Sequence, residues 1–252
     1  MKLITFAILL VTASNLALSQ PLPMVVDIIQ SEPLGFQSKN GTPTGLHFDI
    51  LTALSKLTGV PIKINIVPKA RLIYDLKNGI ADGAILFPNP EVDAITIDSG
   101  VTDQTKLVAL GKVGFPLKSY DDLVRAKTVL MLVNTTFGNP FDSDLRLDKD
   151  KANSYDQMVT MFIHDRANVI TGNLMALLYL LKKVNSVSKV DTSGLLFRNL
   201  DNHFYIAKKS HYREKSKVFI NALDEMMNDG TINNIAMKYF DDHDAKLNLS
   251  EY

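Results

Sequence analysis

Eight side chains stand where loops are expected to meet strand ends: Phe36, Arg71, Phe87, Asn89, Asn134, Thr135, Thr136 and Asn173. Their types suit gripping a small molecule without altering it. Rings supply apolar walls, amides and hydroxyls donate and accept hydrogen bonds, and a guanidinium offers a permanent cation. In open α/β sheets ligands bind in the crevice beyond the strand ends. Phe36 lies in the first loop after a strand, and Phe87, Pro88 and Asn89 follow "GAIL". Asn134, Thr135 and Thr136 follow "TVLMLV" and lead toward a helix, whose first amides could hold an anion or a carbonyl. Asn173 follows "ANVIT". Arg71 sits in a first helical turn, where a cation opposes the helix dipole, so it is free for another task. Each position also has a plainer reading. Asn89, Asn134, Thr135, Thr136 and Asn173 suit helix caps and turns, and Arg71 suits a solvated surface.

Covalent chemistry is not signalled. The sequence has no G-x-S-x-G, no Walker loop and no glycine-rich dinucleotide fingerprint. Its five histidines, at 47, 164, 203, 211 and 243, form no spaced ligand pair, so neither a metal nor a cofactor is expected. His47 and His164 fall on helices and read as surface or half-buried. The methionines of the last helices read as core filler.

The elements that position these residues follow a repeating plan. In "ARLIYDLKNGIADGAIL", Leu72, Ile73 and Leu76 line a helix face, Gly79 stops the helix, and a buried strand restarts at once. "MVTMFIHDRANVITGN" repeats the design roughly 85 residues later by that alignment of stops, with Asp165 at the stop and "ANVIT" as the strand. "PMVVDIIQ", "VPIKINIV", "KTVLMLV" and "HFYIAKK" read as further strands. "LHFDILTALSKLTG", "KSYDDLVRA", "NLMALLYLLKKV" and the two closing stretches, "REKSKVFINALDEMMNDG" and "TINNIAMKYF", read as helices. Strand–helix–strand alternation predicts parallel sheets covered by helices, since parallel neighbours need a crossover. The echo of one unit by another predicts two similar α/β lobes. The polar tail after Asp241 is expected to be loose.

Composition sets the address. The chain has 252 residues, 46% of them hydrophobic, which is enough for two small lobes. Its 27 basic and 27 acidic residues balance, so no bias points to nucleic acid. Lys2, the apolar run "LITFAILLV" and the small residues Ala17 and Ser19 make residues 1–19 a secretory signal peptide, cut before Gln20. The run is too short for a membrane anchor, which needs about 20 residues. With no cysteine, an exported chain must rely on an ordinary core rather than disulfides. The expected location is the periplasm.

Five stretches in this order resemble the family 3 extracellular solute-binding proteins: "EPLGF…NGTPTGLHFDIL", "RLIYDLKNGIADGAIL", "YDDLVRAKTVLMLVNTTFG", "DRANVIT" and "YIAKKS…ALDEMMNDGTINNIAMKYF". The likeness covers nearly the whole exported chain. It implies a two-lobed periplasmic-binding-protein type II fold, with lobe 1 at 20–110 and 204–252, the latter including the closing helices, and lobe 2 at 111–203. It implies a solute in the cleft, hinge closure around it, and a monomer serving an inner-membrane ABC permease or a sensor kinase. A few relatives are dehydratases of cyclic acids, a reading for which Glu32 and Asp93 are the candidate acids. Two departures stand out. The T-x-x-R that grips an α-carboxylate in amino-acid binders is replaced by "FPNPEVDAITIDSG", without arginine. The family's ammonium-binding aspartate appears as Asn173. The resemblance therefore implies a binder whose site is atypical and poor for ordinary α-amino acids, with Arg71 as a displaced cation and Phe36 as an apolar wall.

Overall fold

The computed structural model describes residues 22–126, 128–133, 135–239 and 247–251; the expected signal peptide lies outside them. The first half of the chain runs β1 (Met24–Ile29), β2 (Phe36–Gln37), β3 (Pro43–Thr44), α1 (Leu46–Thr58), β4 (Ile62–Val67), α2 (Lys69–Asn78), β5 (Gly83–Leu86) and α3 (Pro90–Ile95). It then enters β6 (Thr96–Lys112), which is 17 residues long. Next come α4 (Tyr120–Arg125), β7 (Thr128–Leu132), β8 (Asp148–Ala152), α5 (Tyr155–Ile163), β9 (Val169–Asn173) and α6 (Leu174–Lys183). The 18-residue β10 (Val190–Ala207) returns the chain to α7 (Ser216–Asn228), α8 (Thr231–Ala236) and β11 (Asn248–Glu251).

One mixed sheet runs β4-β1-β5-β10-β6-β9-β7-β8. Its flanks are parallel, β1 with β4 and β5, and β7 with β8 and β9, as the crossover helices require. Its centre is antiparallel. β6 and β10 pair along most of their length, from Val190 opposite Lys112 to Ala207 opposite Thr96. β5 joins only the last part of β10, at His203–Ile206, and β9 joins only the last part of β6, at Leu107–Gly111. The two flanks therefore hang on opposite ends of one long ribbon, which makes the fold two-lobed.

The cores divide in the same way. On β1, Met24, Val26 and Ile28 face α1 and α7 through Ile50, Leu54, Phe219 and Leu223. Val25 and Ile29 face the other way, toward Leu72 and Leu76 of α2. A strand with both faces covered must be apolar at every step. The second lobe packs Met158, Phe162, Leu177 and Leu181 on one face, and Phe137, Phe141 and Phe197 on the other. Leu107 to Leu110 of β6 pack there too. The two helix stops behave alike: Gly79 has φ 68° and Asp165 has φ 63°. The left-handed turn that glycine takes freely is here also taken by an aspartate, one of the few residues that tolerate it.

Two expectations are corrected, and one strand is added. "NTTFG" does not enter an α-helix; it leads through Pro140 into a single 3₁₀ turn at Phe141–Ser143. The tail is not wholly loose, because β11 pairs in parallel with Ser193–Leu196 of β10, in the second lobe. "VDTSGLLFRNLDN" is strand throughout, although its alternation is broken by Gly194 and by register shifts.

One core position breaks the apolar rule. Asp27 of β1 is fully buried, and Asn65 Nδ2 of β4 donates to it at 2.9 Å. Asp75 and Arg71 of α2 are its other polar neighbours. Burial, reinforced by Asp75, pushes the Asp27 carboxyl up to about 6. A raised folded-state pKa favours the protonated form in the fold, so its stabilisation is complete below the ordinary value of 3.8 and is lost as pH rises through about 6. Asp27→Asn keeps an acceptor for Asn65 and turns a donor toward Asp75. It should raise stability on the order of 2 kcal/mol at pH 8 and add little at pH 4. Urea unfolding at the two pH values checks this; an equal change at both would contradict it.

Candidate functional site

The ends of β5 and β9 meet the β6–β10 ribbon on either side of its middle, the crossing between the lobes: Leu86 pairs with His203, and Asn173 with Leu107. Between Ile29 and Leu46 the chain makes a long loop, and Phe36 on it pairs with Thr44. This loop reaches the second lobe. The Phe36 ring lies 5.9 Å from the Tyr179 ring of α6, and Lys183 Nζ lies 2.6 Å from Glu32 Oε2. Met175 packs against the first lobe's core. Met175, Tyr179 and Lys183 are spaced by four, so they form one stripe of α6 turned toward the first lobe. The Glu32 bond holds the Lys183 ammonium above its ordinary pKa.

The crossing point is polar and buried. Asn202 Nδ2 donates to Asp103 Oδ2 at 2.7 Å across the register pair they form. Thr102 Oγ1 donates to Asp103 Oδ1 at 2.9 Å, and His47 Nε2 stands 3.1 Å from that oxygen. Burial pushes the Asp103 carboxyl up, but His47 and the hydrogen bonds outweigh it and hold it below the usual range. His47 is 1% exposed, not at the surface or half-buried as expected. The signal was present in its spacing: His47, Ile50, Leu51 and Leu54 occupy one helix face.

Asn173 sits beside this knot. It ends β9 and caps α6, accepting from the Ala176 N–H at 3.2 Å and from Thr105 Oγ1 of β6 at 3.0 Å. Its own N–H is bonded to the Tyr155 hydroxyl at 2.8 Å. Tyr155 lies under Gly172, and burial pushes its phenol up to about 12. Thr105 and Tyr155 were not foreseen, since each touches Asn173 only through the fold.

The other expected residues are placed as follows. Arg71 Nε lies 2.8 Å from both oxygens of Asp75, and its guanidinium carbon lies 5.9 Å from the centre of the Tyr74 ring. Asn89 caps α3, accepting from the Val92 N–H at 3.1 Å and donating to the Phe87 carbonyl at 3.2 Å. Thr135 is half-buried and Thr136 exposed, and Asn134 lies outside the described residues. The amides beyond them are already taken: Asp142 accepts from the Phe137 N–H at 3.0 Å and the Gly138 N–H at 2.8 Å. The anion-holding amides expected after "NTT" are thus satisfied by the chain's own carboxylate. Apart from the Asn89–Phe87 bond, no hydrogen bond joins two of the eight positions among the described residues. Also among them, no group of acids and histidines could hold a metal ion, and no helix is long and apolar enough to cross a membrane.

Comparison with known proteins agrees with this architecture. Residues 24–242 match the family model of bacterial extracellular solute-binding proteins, family 3. The chain is 21% identical over 230 residues to the probable amino-acid-binding protein YxeM of Bacillus subtilis (strain 168), covering 84% of this chain and 81% of that one. Among solved structures it resembles an ancestral cationic amino acid solute-binding protein (AncCDT-1), with TM-score 0.71 and 20% identity over 87% of this chain and 96% of that one. It also resembles a histidine kinase sensor domain similar to periplasmic binding proteins, with TM-score 0.68 and 12% identity over 86% and 96% of the two chains.

The support beneath Asn173 is open to a direct test. Gly172 has φ 154°, and a Cβ there would lie 2.6 Å from the Tyr155 ring and 2.9 Å from its hydroxyl. Gly172→Ala should therefore displace Tyr155, release the Asn173 N–H and cost roughly 2 kcal/mol, as overpacking of a filled core does. Urea denaturation measures it; wild-type stability would show that Tyr155 does not brace this corner.

Proposed function

The chain belongs to the bacterial extracellular solute-binding proteins, family 3, and from that membership we propose that it captures a small polar solute between its lobes in the periplasm and delivers it to an inner-membrane ABC permease. The observation that carries this reading is the joint itself: two separately packed cores share the β6–β10 ribbon, and the first lobe's long loop touches α6 of the second across it. Such a joint suits closure around a guest, with the guest favouring the closed form. In this reading the binding residues are Phe36, Arg71, Phe87, Asn89, Asn134, Thr135, Thr136 and Asn173, and the protein works as a monomer.

The site is read as atypical. In the T-x-x-R of amino-acid binders, a capping threonine precedes the arginine by three. Asn89 is the cap here, and the residue three further on is Val92, fully buried in the first lobe's core. An aliphatic side chain cannot make the two-pronged grip on a carboxylate. Asn173 stands for the ammonium-binding aspartate, and an amide cannot neutralise an ammonium. Two of the named relatives carry amino acids in their names, and these two substitutions argue that this chain takes something else. A sensor role is the second reading, supported by the likeness to a kinase sensor domain. A dehydratase reading is weaker, because Glu32 is ion-paired with Lys183 and Asp93 is bonded to Tyr205.

A thermal-shift screen of the exported chain against a metabolite panel tests capture. A solute at 100 times its Kd adds about 2.7 kcal/mol, so at least one should raise Tm clearly, while the twenty amino acids should not. A micromolar α-amino acid ligand would overturn the atypical site. For the solute found, Phe36→Ala should weaken binding by roughly tenfold, since aromatic pairs are worth about 0.5–1.5 kcal/mol beyond burial. Lys183→Ala should cost about twofold, as its pair with Glu32 is half exposed. Calorimetric titration of both variants checks the order, and a larger loss for Lys183→Ala would reverse the roles given to ring and ion pair.

A further inference from the structure

Asn173 carries a polarity that its surroundings fix. A side-chain amide has one accepting end and one donating end, and which end faces which way must be read from its partners. The Ala176 N–H can only donate, and it reaches Oδ1. Thr105 Oγ1 reaches the same atom from β6. The amide therefore cannot be turned round without setting its NH2 against the Ala176 N–H. Both fixed contacts are spent on the oxygen, and the nitrogen is left over. Asn173 is only 7% exposed, yet among the described residues Nδ2 makes no hydrogen bond. Nor does Nδ2 count among the sealed side-chain atoms without a partner, which include Asp27 Oδ2. It is an uncommitted donor, still reachable, at the N-terminus of the ten-residue α6 and beside the crossing strands.

We propose that the captured solute sets a hydrogen-bond acceptor, a carboxylate or carbonyl oxygen, against Asn173 Nδ2, and that its class is oxo and carboxylic acids lacking an ammonium group at that place. This rests on the solute-binding reading above. Two effects point the same way. An acceptor satisfies a nearly buried N–H that otherwise goes unpaired, whereas an ammonium would bring a second donor against it. The N-terminal end of a helix also favours negative over positive charge. A site built around one hydrogen-bonding polarity discriminates strongly against the opposite one.

The test uses matched pairs that differ at one group: 2-oxo acids and the α-amino acids with the same side chains, titrated calorimetrically into the exported chain and its Asn173→Asp variant. An aspartate keeps an oxygen facing Ala176 and Thr105 and is as good a cap, so the variant should fold, while an anionic oxygen replaces the donor. The wild type should bind an oxo acid at least tenfold tighter than its amino-acid partner, and the variant should reverse that order. An amino acid that binds the wild type as tightly, or an unchanged ratio in the variant, would overturn the inference. Should neither set bind, the solute found by the metabolite screen decides. One with a carboxylate or carbonyl oxygen and at least tenfold weaker binding to the variant supports the inference; any other solute overturns it and leaves the binding reading intact. No stabilising solute at all would overturn both.

Discussion

Everything in this molecule hangs on one constraint, the antiparallel pairing of β6 with β10. Parallel strands need covering helices, so each flank must bury its strands between helices and keep its own core. Two such flanks share a chain only through strands that run the other way. The ribbon serves both: β5 borrows one end of β10, and β9 borrows the opposite end of β6. Between those points the ribbon has no third strand among the described residues, and there it carries polar pairs in place of apolar ones. Asp103 and Asn202 face each other at the crossing, with the Thr102 hydroxyl donating to Asp103 and the His47 ring beside it. A buried carboxylate is tolerated because each neighbour supplies a donor or a cation.

The same economy governs the candidate binding residues. Side chains that look free in sequence are largely committed in the fold. Arg71 is bound to Asp75, Asn89 holds the start of α3, and Asp142 fills the amides beyond Thr136. What is left uncommitted is informative for that reason. Asn173 has one end spent on its helix and on the ribbon and one end free, and the free end is a donor. α6 likewise divides its labour, capping at Asn173 and presenting Met175, Tyr179 and Lys183 to the opposite lobe.

The sequence displayed the local units well and their joining poorly. "ARLIYDLKNGIADGAIL" and "MVTMFIHDRANVITGN" declared helix, stop and strand because periodicity and a left-handed turn are properties of neighbours. β10 was legible only at "HFYIA", since the alternation of its earlier part is broken and it is held by pairing with residues about ninety positions away. The charged edge strand β8 gave no apolar signal, and its charges suit an edge that must not pair further. Among the eight expected residues, Asn173 and Phe36 lie at the interface between lobes. Thr105, Tyr155 and the Glu32–Lys183 pair could not be seen, because each depends on a partner distant in sequence. His47 could have been placed, since its helical spacing put it on the buried face.

Capture as proposed requires the two lobes to swing about the β6–β10 crossing and enclose a solute. Because the chain has no cysteine, labels can be introduced singly, at exposed Lys56 on α1 and exposed Lys151 on β8. Pulsed electron paramagnetic resonance between spin labels there would read the lobe separation directly. A shorter and narrower distance distribution is expected when the stabilising solute is added. A distribution identical with and without a saturating solute would contradict it.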